Sequence, residues 1–457
     1  MIADLKPYAE YKESGLSWLG QVPGHWELRR MKSAVMNVIE QRYDLGPDEV
    51  YVALEHVESW TGKARPQSDS SLFSGQVKRF RKGDVLFGKL RPYLAKVTRI
   101  NKDGVCAGEF FVLRPTDSAV SSAYLEHQLR AKHTIDVING STFGAKMPRA
   151  DWQFCGNLPF LLPTPAEQAA IVRFLDWANG RLERAIRAKR KVIALLNEQK
   201  QAIIHRAVTR GLDPSVPLKP SGIPWLGDIP QHWEVVRNMS LFAHRVEAGI
   251  AGLPVLQVSL RSGVTAEDLD PFGRPKRLIA DPTKYKLVRT SDMAYNTMRM
   301  WQGAVGVAPN DGLVSPAYVV LTPRQDTCPD FYDYVFHTDV YKQQVNRQST
   351  GIVSDRNRLY WDSFKQMPNI ALARLEQETI VRFIHSETGT LIAATARLQR
   401  EIDLLREYRT RLVADVVTGK LDVREAAARL PDEAPLATDY GTDPSLDSEA
   451  ADEESVA

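Results

Sequence analysis

The chain has 457 residues, of which 43% are hydrophobic, 25% charged and 9% aromatic. This length exceeds that of one ordinary hydrophobic core and predicts roughly two to four domains. No run approaches the ~18 consecutive apolar residues of a membrane helix, and the N-terminus lacks the apolar segment of a secretory signal. The three cysteines (Cys106, Cys155 and Cys328) are far apart, which argues against a disulfide framework and against a zinc site with paired ligands. The cytoplasm is therefore the expected compartment.

Charge is distributed unevenly along the chain. Residues 431–457 contain nine acidic residues and no Lys or Arg, so a chain of net charge +3 carries +12 on residues 1–430. A basic body is typical of a protein that binds a polyanion. The last segment, 426–457, is predicted to be a disordered acidic tail. This tail either serves solubility alone or competes with DNA for basic surface.

The sequence contains an internal duplication. SGLSWLGQVPGHWE (14–27) returns as SGIPWLGDIPQHWE (221–234), with nine of fourteen positions identical. EQAAIVRFLD (167–176) returns as EQETIVRFIH (376–385), with six of ten positions identical. Solenoid repeats have periods of about 20–50 residues, so a period near 208 indicates two copies of one domain. We name the fourteen-residue segments the first and second Trp tags. Their Trp and Pro residues are expected to pack against the scaffold, with direct DNA contact as the alternative for Trp, and their His residues are expected to pack or to form hydrogen bonds.

Each copy is predicted to be a strand-rich globular part followed by a long helix, which makes the fold class α+β. The globular parts contain short β-type runs such as DVLFGKL, EFFVLRP, PVLQVSL and AYVVLTP. The helical parts carry a seam of 3.5-residue period over nearly four heptads, typical of a coiled coil. The two seams can pack on each other, or each helix can pack on its own domain. The seam positions are Leu182, Ile186, Lys189, Ile193, Leu196, Lys200, Ile203 and Ala207, and then Leu391, Thr395, Leu398, Ile402, Leu405, Arg409, Leu412 and Val416.

The repeated segments are structural, whereas the globular parts have diverged. Such a chain is expected to hold two different readers a fixed distance apart on a two-part, asymmetric DNA site. If both readers approach one face of B-DNA, the half-sites should lie ~10 bp apart, centre to centre.

Taken together, these motifs resemble the specificity subunit of type I restriction–modification systems over about residues 10–425. They are the duplicated G-[LI]-x-W-L-G-x-[VI]-P-x-H-W-E tag, the E-Q-x-x-I-V-R-F opening of each helix, and FRKGDVLFGKLRPYL. The resemblance implies two target-recognition domains joined by two helical regions that pack as an antiparallel coiled coil. The predicted domains are a first recognition domain (1–162), a central helical spacer (163–213), a second recognition domain (214–369), a C-terminal helical spacer (370–425) and the tail (426–457).

The resemblance also implies partners and cofactors. The partners are double-stranded DNA, two modification (methyltransferase) subunits and the restriction (translocase and endonuclease) subunits, with no membrane. S-adenosylmethionine, ATP and Mg²⁺ are expected on those subunits. The acidic tail departs from the family pattern, and the second copy has Ser291, Tyr295 and Asn296 where the first has Gly83, Phe87 and Gly88. Transfer of residue roles into the second recognition domain is weaker for that reason.

The chain itself is expected to be non-catalytic and to bind no metal or cofactor. It has no Pro-Pro pair for a methyltransferase tetrapeptide of the [NDS]-P-P-[YFW] type, and no GxxxxGK[ST] loop for ATP phosphates. Two alternatives remain open at this point: the recognition part of a single-chain restriction–methylation enzyme, and a protein-interaction scaffold without DNA specificity.

Candidate DNA contacts are the cationic and small polar residues in four segments, because Lys and Arg bind phosphates and polar side chains read base edges. A basic run at 181–192 either lines DNA between the half-sites, forms a solvated flank, or docks a modification subunit. In the first domain the candidates are Lys78, Arg79, Arg81, Lys82, Lys89, Arg91, Ser141, Thr142, Lys146 and Arg149. In the second domain they are Arg299, Gln302, Arg347, Ser349, Thr350, Ser354, Arg356, Asn357 and Arg358.

Overall fold

The computed structural model describes residues 5–68, 75–144, 147–223, 226–260, 262–266, 281–351 and 357–431. The chain divides into two units. The first unit contains the residues up to Arg190 and those from Gln399 onward, and the second unit is Lys191–Leu398. Each of the two long helices therefore contributes its first part to one unit and its last part to the other.

The first unit is built around an antiparallel sheet with the strand order β4-β11-β8-β9. A second sheet has the order β5-β7-β10-β6, in which β10 and β6 are parallel. Two further pairs, β1 with β2 and β3 with β12, are antiparallel. The elements are β1 (Tyr11–Glu13), β2 (Gln21–Pro23), β3 (Glu27–Arg30), β4 (Val35–Val38), β5 (Gln41–Arg42), β6 (Val50–Val52), β7 (Val77–Phe80), β8 (Val85–Gly88), β9 (Val97–Arg99), β10 (Gly104–Cys106), β11 (Phe110–Pro115), α1 (Ser122–Arg130), α2 (Lys132–Gly140), α3 (Trp152–Asn157) and β12 (Pro159–Leu162).

The second unit repeats the central sheet as β16-β23-β20-β21, all antiparallel. The pairs β13 with β14 and β15 with β24 repeat the two outer pairs of the first unit. The predicted duplication is therefore confirmed as a duplication of fold. The elements are β13 (Leu218–Pro220), β14 (Asp228–Pro230), β15 (Glu234–Arg237), α5 (Asn238–Leu241), β16 (Phe242–Arg245), β17 (Leu256–Ser259), β18 (Gly263–Ala266), β19 (Lys286–Val288), β20 (Met293–Asn296), β21 (Val305–Val307), β22 (Gly312–Val314), β23 (Tyr318–Pro323), α6 (Pro329–His337), α7 (Asp339–Gln348), α8 (Trp361–Phe364) and β24 (Pro368–Ala371).

The central sheets are buried on both faces, which explains their continuous apolar runs. In β11, Phe111 and Leu113 belong to one hydrophobic core, while Phe110 and Val112 belong to another. Successive side chains of a strand point to opposite faces, so a sheet between two cores has no polar face. The second unit follows the same rule, with Val319 and Leu321 in one core and Val320 in the other.

Two long helices follow the recognition parts: α4 (Pro165–Arg210) and α9 (Arg374–Val417). In the first unit, Arg409 lies 3.4 Å from Glu183, and Lys189 lies 2.5 Å from Glu401. The residue number rises along α4 as it falls along α9, so the helices are antiparallel there. All sixteen predicted seam positions are buried or half-buried. The α+β fold with an antiparallel helix pair is confirmed.

The Trp tags hold the start of each long helix. In the first unit, Trp26 is fully buried and its indole Nε1 donates to Glu167 at 3.4 Å, while His25 Nε2 lies 2.8 Å from the same oxygen. Glu167 also accepts from the Thr164 hydroxyl at 3.0 Å, and the Thr164 oxygen accepts from the Glu167 amide, which forms a capping box. The expected packing of Trp26 is confirmed, whereas Trp18 is 39% exposed and stacks on His133.

The second Trp tag repeats this contact with one difference. Trp233 is fully buried and donates to Glu376 at 3.0 Å, and His232 lies 2.9 Å from the same carboxylate. Ala373 stands where the first copy has Thr164, so the hydroxyl of the capping box is missing. Trp225 lies outside the described residues.

We expect Glu167→Gln to destabilise the first unit and to weaken its acid sensitivity. Burial alone would raise the pKa of Glu167, but hydrogen bonds from His25, Thr164 and Trp26 lower it overall. A carboxyl whose pKa is lower in the folded state contributes stability above its unfolded pKa of ~4.3, and that contribution is lost as the pH falls through the folded pKa. The variant should therefore lose ~1–2 kcal/mol at neutral pH and less on acidification.

Thermal unfolding midpoints from about pH 7 down to about pH 3.5 would test this, since that window spans the titration of a carboxyl. Glu10→Gln is the control, because Glu10 is exposed in the same unit. Identical pH dependence in wild type and Glu167→Gln would contradict the expectation.

The packed part of the chain extends further than expected. A short helix, α10 (Arg424–Ala428), follows α9, and Ala426, Ala427 and Leu430 are buried in the first unit. The predicted start of the tail at 426 is therefore wrong, because these apolar residues complete a core. In the described residues, no helix combines the length and hydropathy that crossing a bilayer requires.

Candidate nucleic-acid interface

Two segments of the first unit that the sequence presents separately lie side by side. The turn after β8 is joined to the loop after α2 by backbone hydrogen bonds: Arg91 N–H donates to Pro148 O at 2.8 Å, and Ala150 N–H donates to Lys89 O at 2.8 Å. Leu90 and Arg149 form a β-bridge between the segments. We name residues 88–96, 141–144 and 147–150 together the first loop pair.

The turn of the first loop pair has an unusual backbone. Arg91 and Ala95 flank the 3₁₀ helix Pro92–Leu94 and have φ angles of 50° and 49°. Left-handed backbone in residues other than glycine costs about 1–3 kcal/mol and is concentrated at functional sites. Arg91 is half-buried, and within the described ranges its guanidinium has no carboxylate partner. The turn therefore presents a cation on a constrained backbone.

The side chains of the neighbouring loop are partly engaged in local structure. The hydroxyls of Ser141 and Thr142 donate to Ile138 O and Asn139 O at 2.7 and 2.8 Å, which ends α2. Their oxygens remain able to accept. Arg149 is exposed and donates to Glu109 at 3.1 Å, and Lys146 lies outside the described residues.

Two apolar side chains of this loop were missed from the sequence. Phe143 is 65% exposed and Met147 is 51% exposed, on either side of the loop tip. Exposed apolar groups among cations can contact thymine methyl groups in a DNA groove. The sequence did not indicate that these residues are exposed, because Phe and Met are ordinarily assigned to a hydrophobic core.

The cations of the basic run around β7 differ in their burial and in their partners. The Lys78 amine donates to Phe110 O at 2.7 Å, and burial, reinforced by Lys89, lowers the pKa of Lys78. Lys286, at the equivalent position of the second unit, donates to Tyr318 O at 2.6 Å, and burial lowers its pKa too. A repeated lysine–carbonyl contact indicates a structural role for Lys78.

The other cations of that run differ in exposure. Arg79 donates to Glu40 at 3.1 Å, so its charge is already partnered. Arg81 and Lys82 are exposed at the turn before β8. Their backbone amides donate to Asp84 and Asp103, which fixes the turn.

The second unit contains an equivalent arrangement. Leu359 N–H donates to Thr297 O at 2.9 Å, which matches the contact between Ala150 and Lys89. Thr350 and Arg358 exchange two backbone hydrogen bonds of 3.0 Å. We name residues 296–304, 349–351 and 357–359 the second loop pair.

The second loop pair carries different side chains. Arg299, Gln302 and Arg358 are exposed, and no described carboxylate pairs with either arginine. The Ser349 hydroxyl donates to Val345 O at 2.6 Å. Arg347 is exposed near the end of α7, Thr350 is exposed on the loop, and Asn357 donates to Asn346 at 3.3 Å. Ser354 and Arg356 lie outside the described residues.

The cations of the basic run on α4 also differ: some contact other side chains and others are exposed. Lys189 pairs with Glu401, and Arg181 lies 5.2 Å from the centre of the Trp177 ring. Arg184 and Arg187 are exposed. Among the described residues, no three His, Cys, Asp or Glu side chains come together as ligands of a metal ion would.

No family model matches the chain. Over 194 residues the chain is 24% identical to the type I restriction enzyme EcoDI specificity subunit of Escherichia coli. This match covers 41% of the chain and 43% of that subunit, so the chain spans less than half the length of the curated relative it matches.

Among solved structures, the fold is similar to that of a chain from a structural study of the type I restriction–modification system. That study concerns the assembly and conformational transition of the complex. The TM-score is 0.61 at 17% identity, over 87% of this chain and 98% of that chain. The HsdS subunit from Thermoanaerobacter tengcongensis gives 0.44 at 18% identity, over 90% of this chain and 100% of that chain, a score too low to add to the comparison. The resemblance indicated by the motifs is therefore confirmed: part of the chain is similar in sequence to a type I specificity subunit, and nearly all of it shares the fold of a type I restriction–modification chain.

Proposed function

We propose that the chain is the non-catalytic DNA-recognition subunit of a type I restriction–modification complex and that it reads a two-part, asymmetric site. The observation that carries the proposal is that the two loop pairs share one backbone contact and bear different polar side chains. That contact is Ala150 N–H to Lys89 O in the first pair and Leu359 N–H to Thr297 O in the second. A shared backbone with unlike side chains is what two readers of different sequences require, because phosphate contacts position a protein and base contacts specify the sequence.

The first loop pair offers Lys89, Arg91 and Arg149, and the second offers Arg299, Gln302 and Arg358. Arg and Lys bind guanine O6 and N7, while Gln pairs with adenine. Ser141, Thr142, Ser349, Thr350 and Asn357 are proposed to add hydrogen bonds, and Arg81, Lys82 and Arg347 to contact phosphates. Lys78, Arg79 and Arg149 are weaker candidates than their sequence suggested, because each already has a protein partner.

Selection from a duplex library of random sequence tests this proposal. The purified chain, assembled with its modification subunits, should enrich one split motif with two unlike halves. A palindrome, a single block or no enrichment would contradict the proposal. Sequence-independent retention of the library would favour a scaffold, and methylation by the isolated chain would favour a single-chain enzyme.

Two copies of one modification subunit need two equivalent docking faces on this chain. Leu195 on α4 is 54% exposed, and Leu404 on α9, 209 residues later, is 63% exposed. They occupy the same position of the duplicated helix, one in each unit. An exposed leucine at the same position of both copies matches what two copies of one partner would contact. We propose that each leucine contacts one modification subunit.

Leu404→Glu should leave one modification subunit bound, and Leu195→Glu with Leu404→Glu should leave none. Loss of a buried leucine contact and burial of a carboxylate should weaken each site by ~100-fold or more. Native mass spectrometry of the mixed subunits gives the stoichiometry directly. Leu375→Glu is the matched control, because Leu375 is 71% exposed at the start of α9. Two bound copies on the double variant would contradict the assignment.

In this proposal S-adenosylmethionine, ATP and Mg²⁺ bind the modification and restriction subunits. The chain acts on chromosomal and invading DNA in the cytoplasm, without a membrane partner. Its own contribution is to select the site and to hold the modification subunits over it.

A further inference from the structure

The last described residues of the chain are fixed to α4. Leu430 is buried in the first unit, and Arg173 donates to Leu430 O at 2.7 Å and to Pro431 O at 3.5 Å. Arg173 is exposed on α4. The segment that follows Pro431 therefore starts beside the outer face of this helix.

That face carries cations further along the helix. Arg184 and Arg187 are exposed, and so is Arg181, which lies about 80° from Arg173 around the helix axis; we name these three the α4 cation stripe. At ~3.6 residues per turn and ~1.5 Å per residue, Arg184 and Arg187 lie within about 40° of Arg173 around the axis and roughly 17–21 Å along it. Among the described residues, neither has an ion-pair partner, whereas Glu183 pairs with Lys63 and Arg409. Glu183, the acidic residue within the basic run 181–192, is therefore already paired with cations.

The remaining sequence is complementary in charge. Residues 432–457 contain nine Asp or Glu and no Lys or Arg. An extended chain spans up to ~3.3 Å per residue, so this segment can reach several times the distance to the stripe. Tethering to the same helix gives an effective concentration of about millimolar order, which makes weak charge pairing significant.

We infer that residues 432–457 bind the α4 cation stripe and compete there with DNA phosphates. This inference rests on the proposed function and adds a regulatory contact to it. The segment acts as a tethered polyanion: it suppresses sequence-independent binding, which depends on phosphate contacts, while the loop pairs continue to read base edges.

A peptide experiment tests the contact without any DNA. A fluorescent peptide of residues 432–457 should bind the chain truncated after Pro431 at low salt. Arg181→Gln, Arg184→Gln and Arg187→Gln together should weaken this binding about 5- to 10-fold. The control triple Arg30→Gln, Lys32→Gln and Lys102→Gln removes three exposed cations of the same unit and should leave it unchanged. No binding, or equal weakening in both triples, would overturn the inference.

A DNA experiment tests the competition. The truncated chain should bind a random-sequence duplex about 5-fold more tightly than the full chain at ~50 mM salt, with the difference vanishing at higher salt. Replacing the nine acids with Asn and Gln should reproduce the truncation, and the stripe triple should abolish its effect. Equal affinity of full and truncated chains overturns the inference alone. Failure of both chains to bind any duplex overturns the proposed function as well, and the peptide result separates the two cases.

Discussion

Arg299→Gln combined with Arg358→Gln is expected to reduce affinity for the recognised site by about 100-fold. Both guanidiniums are exposed on the second loop pair and lack carboxylate partners among the described residues. A charge-assisted contact with a base or phosphate is worth about 1–3 kcal/mol, so losing two gives roughly this factor. The backbone pairing of Thr350 with Arg358 should persist, because its hydrogen bonds are made by main-chain atoms.

The loss should be confined to one half of the site. Fluorescence anisotropy with duplexes in which one half-site at a time is scrambled measures this directly. Scrambling the second half should no longer matter to the variant, while scrambling the first should still weaken binding. Arg237→Gln with Arg382→Gln is the control, because both residues are exposed cations of the same unit outside the loop pair. A loss no larger than that of the control would contradict the assignment of the second loop pair.

Gly419→Ala is expected to destabilise the first unit by about 2–5 kcal/mol. Gly419 ends α9 with a φ of 75°, and a Cβ there would lie 2.3 Å from Pro23 Cδ and 3.2 Å from the Trp26 ring. The left-handed backbone costs an alanine ~1–2 kcal/mol, and overpacking adds ~1–3 kcal/mol. The clash lies where the first Trp tag meets the end of the second long helix, so the added methyl group should loosen the packing of both.

Gly15→Ala separates the cost of the left-handed backbone from the cost of overpacking. Gly15 has the same φ of 75°, but a Cβ there meets nothing within 4 Å. Differential scanning calorimetry should show a small shift for Gly15→Ala and a shift several times larger for Gly419→Ala. Equal shifts would mean that the contact with Pro23 and Trp26 contributes nothing.

The sequence predicted the scaffold because its signals are local or repeated. The coiled-coil seam follows from residue spacing alone, and every predicted position is buried or half-buried. The Trp tags recur with their partner glutamates, Glu167 and Glu376, although nothing in the sequence paired them. The start of the tail was predicted too early because Ala426 and Leu430 stand beside charged residues, and only the fold shows the core they complete.

The site was predicted less completely, for two physical reasons. The loop pairs are joined by main-chain hydrogen bonds, such as Arg91 N–H to Pro148 O, and the backbone has no residue-specific signature. The burial of a side chain also cannot be predicted from its charge. The sequence predicts a phosphate contact for Lys78, but its amine donates to the carbonyl oxygen of Phe110. The duplication could have indicated this structural role, because the second copy has Lys286 at the equivalent position and Lys286 makes the same contact.

The most direct test of a two-reader subunit is the adenine methylome of cells that express the chain with its modification subunits, measured by single-molecule sequencing with the gene intact and deleted. Deletion should remove one methylated motif, split and asymmetric, and leave all others. An unchanged set of motifs, or loss of a palindromic or unsplit one, would contradict it.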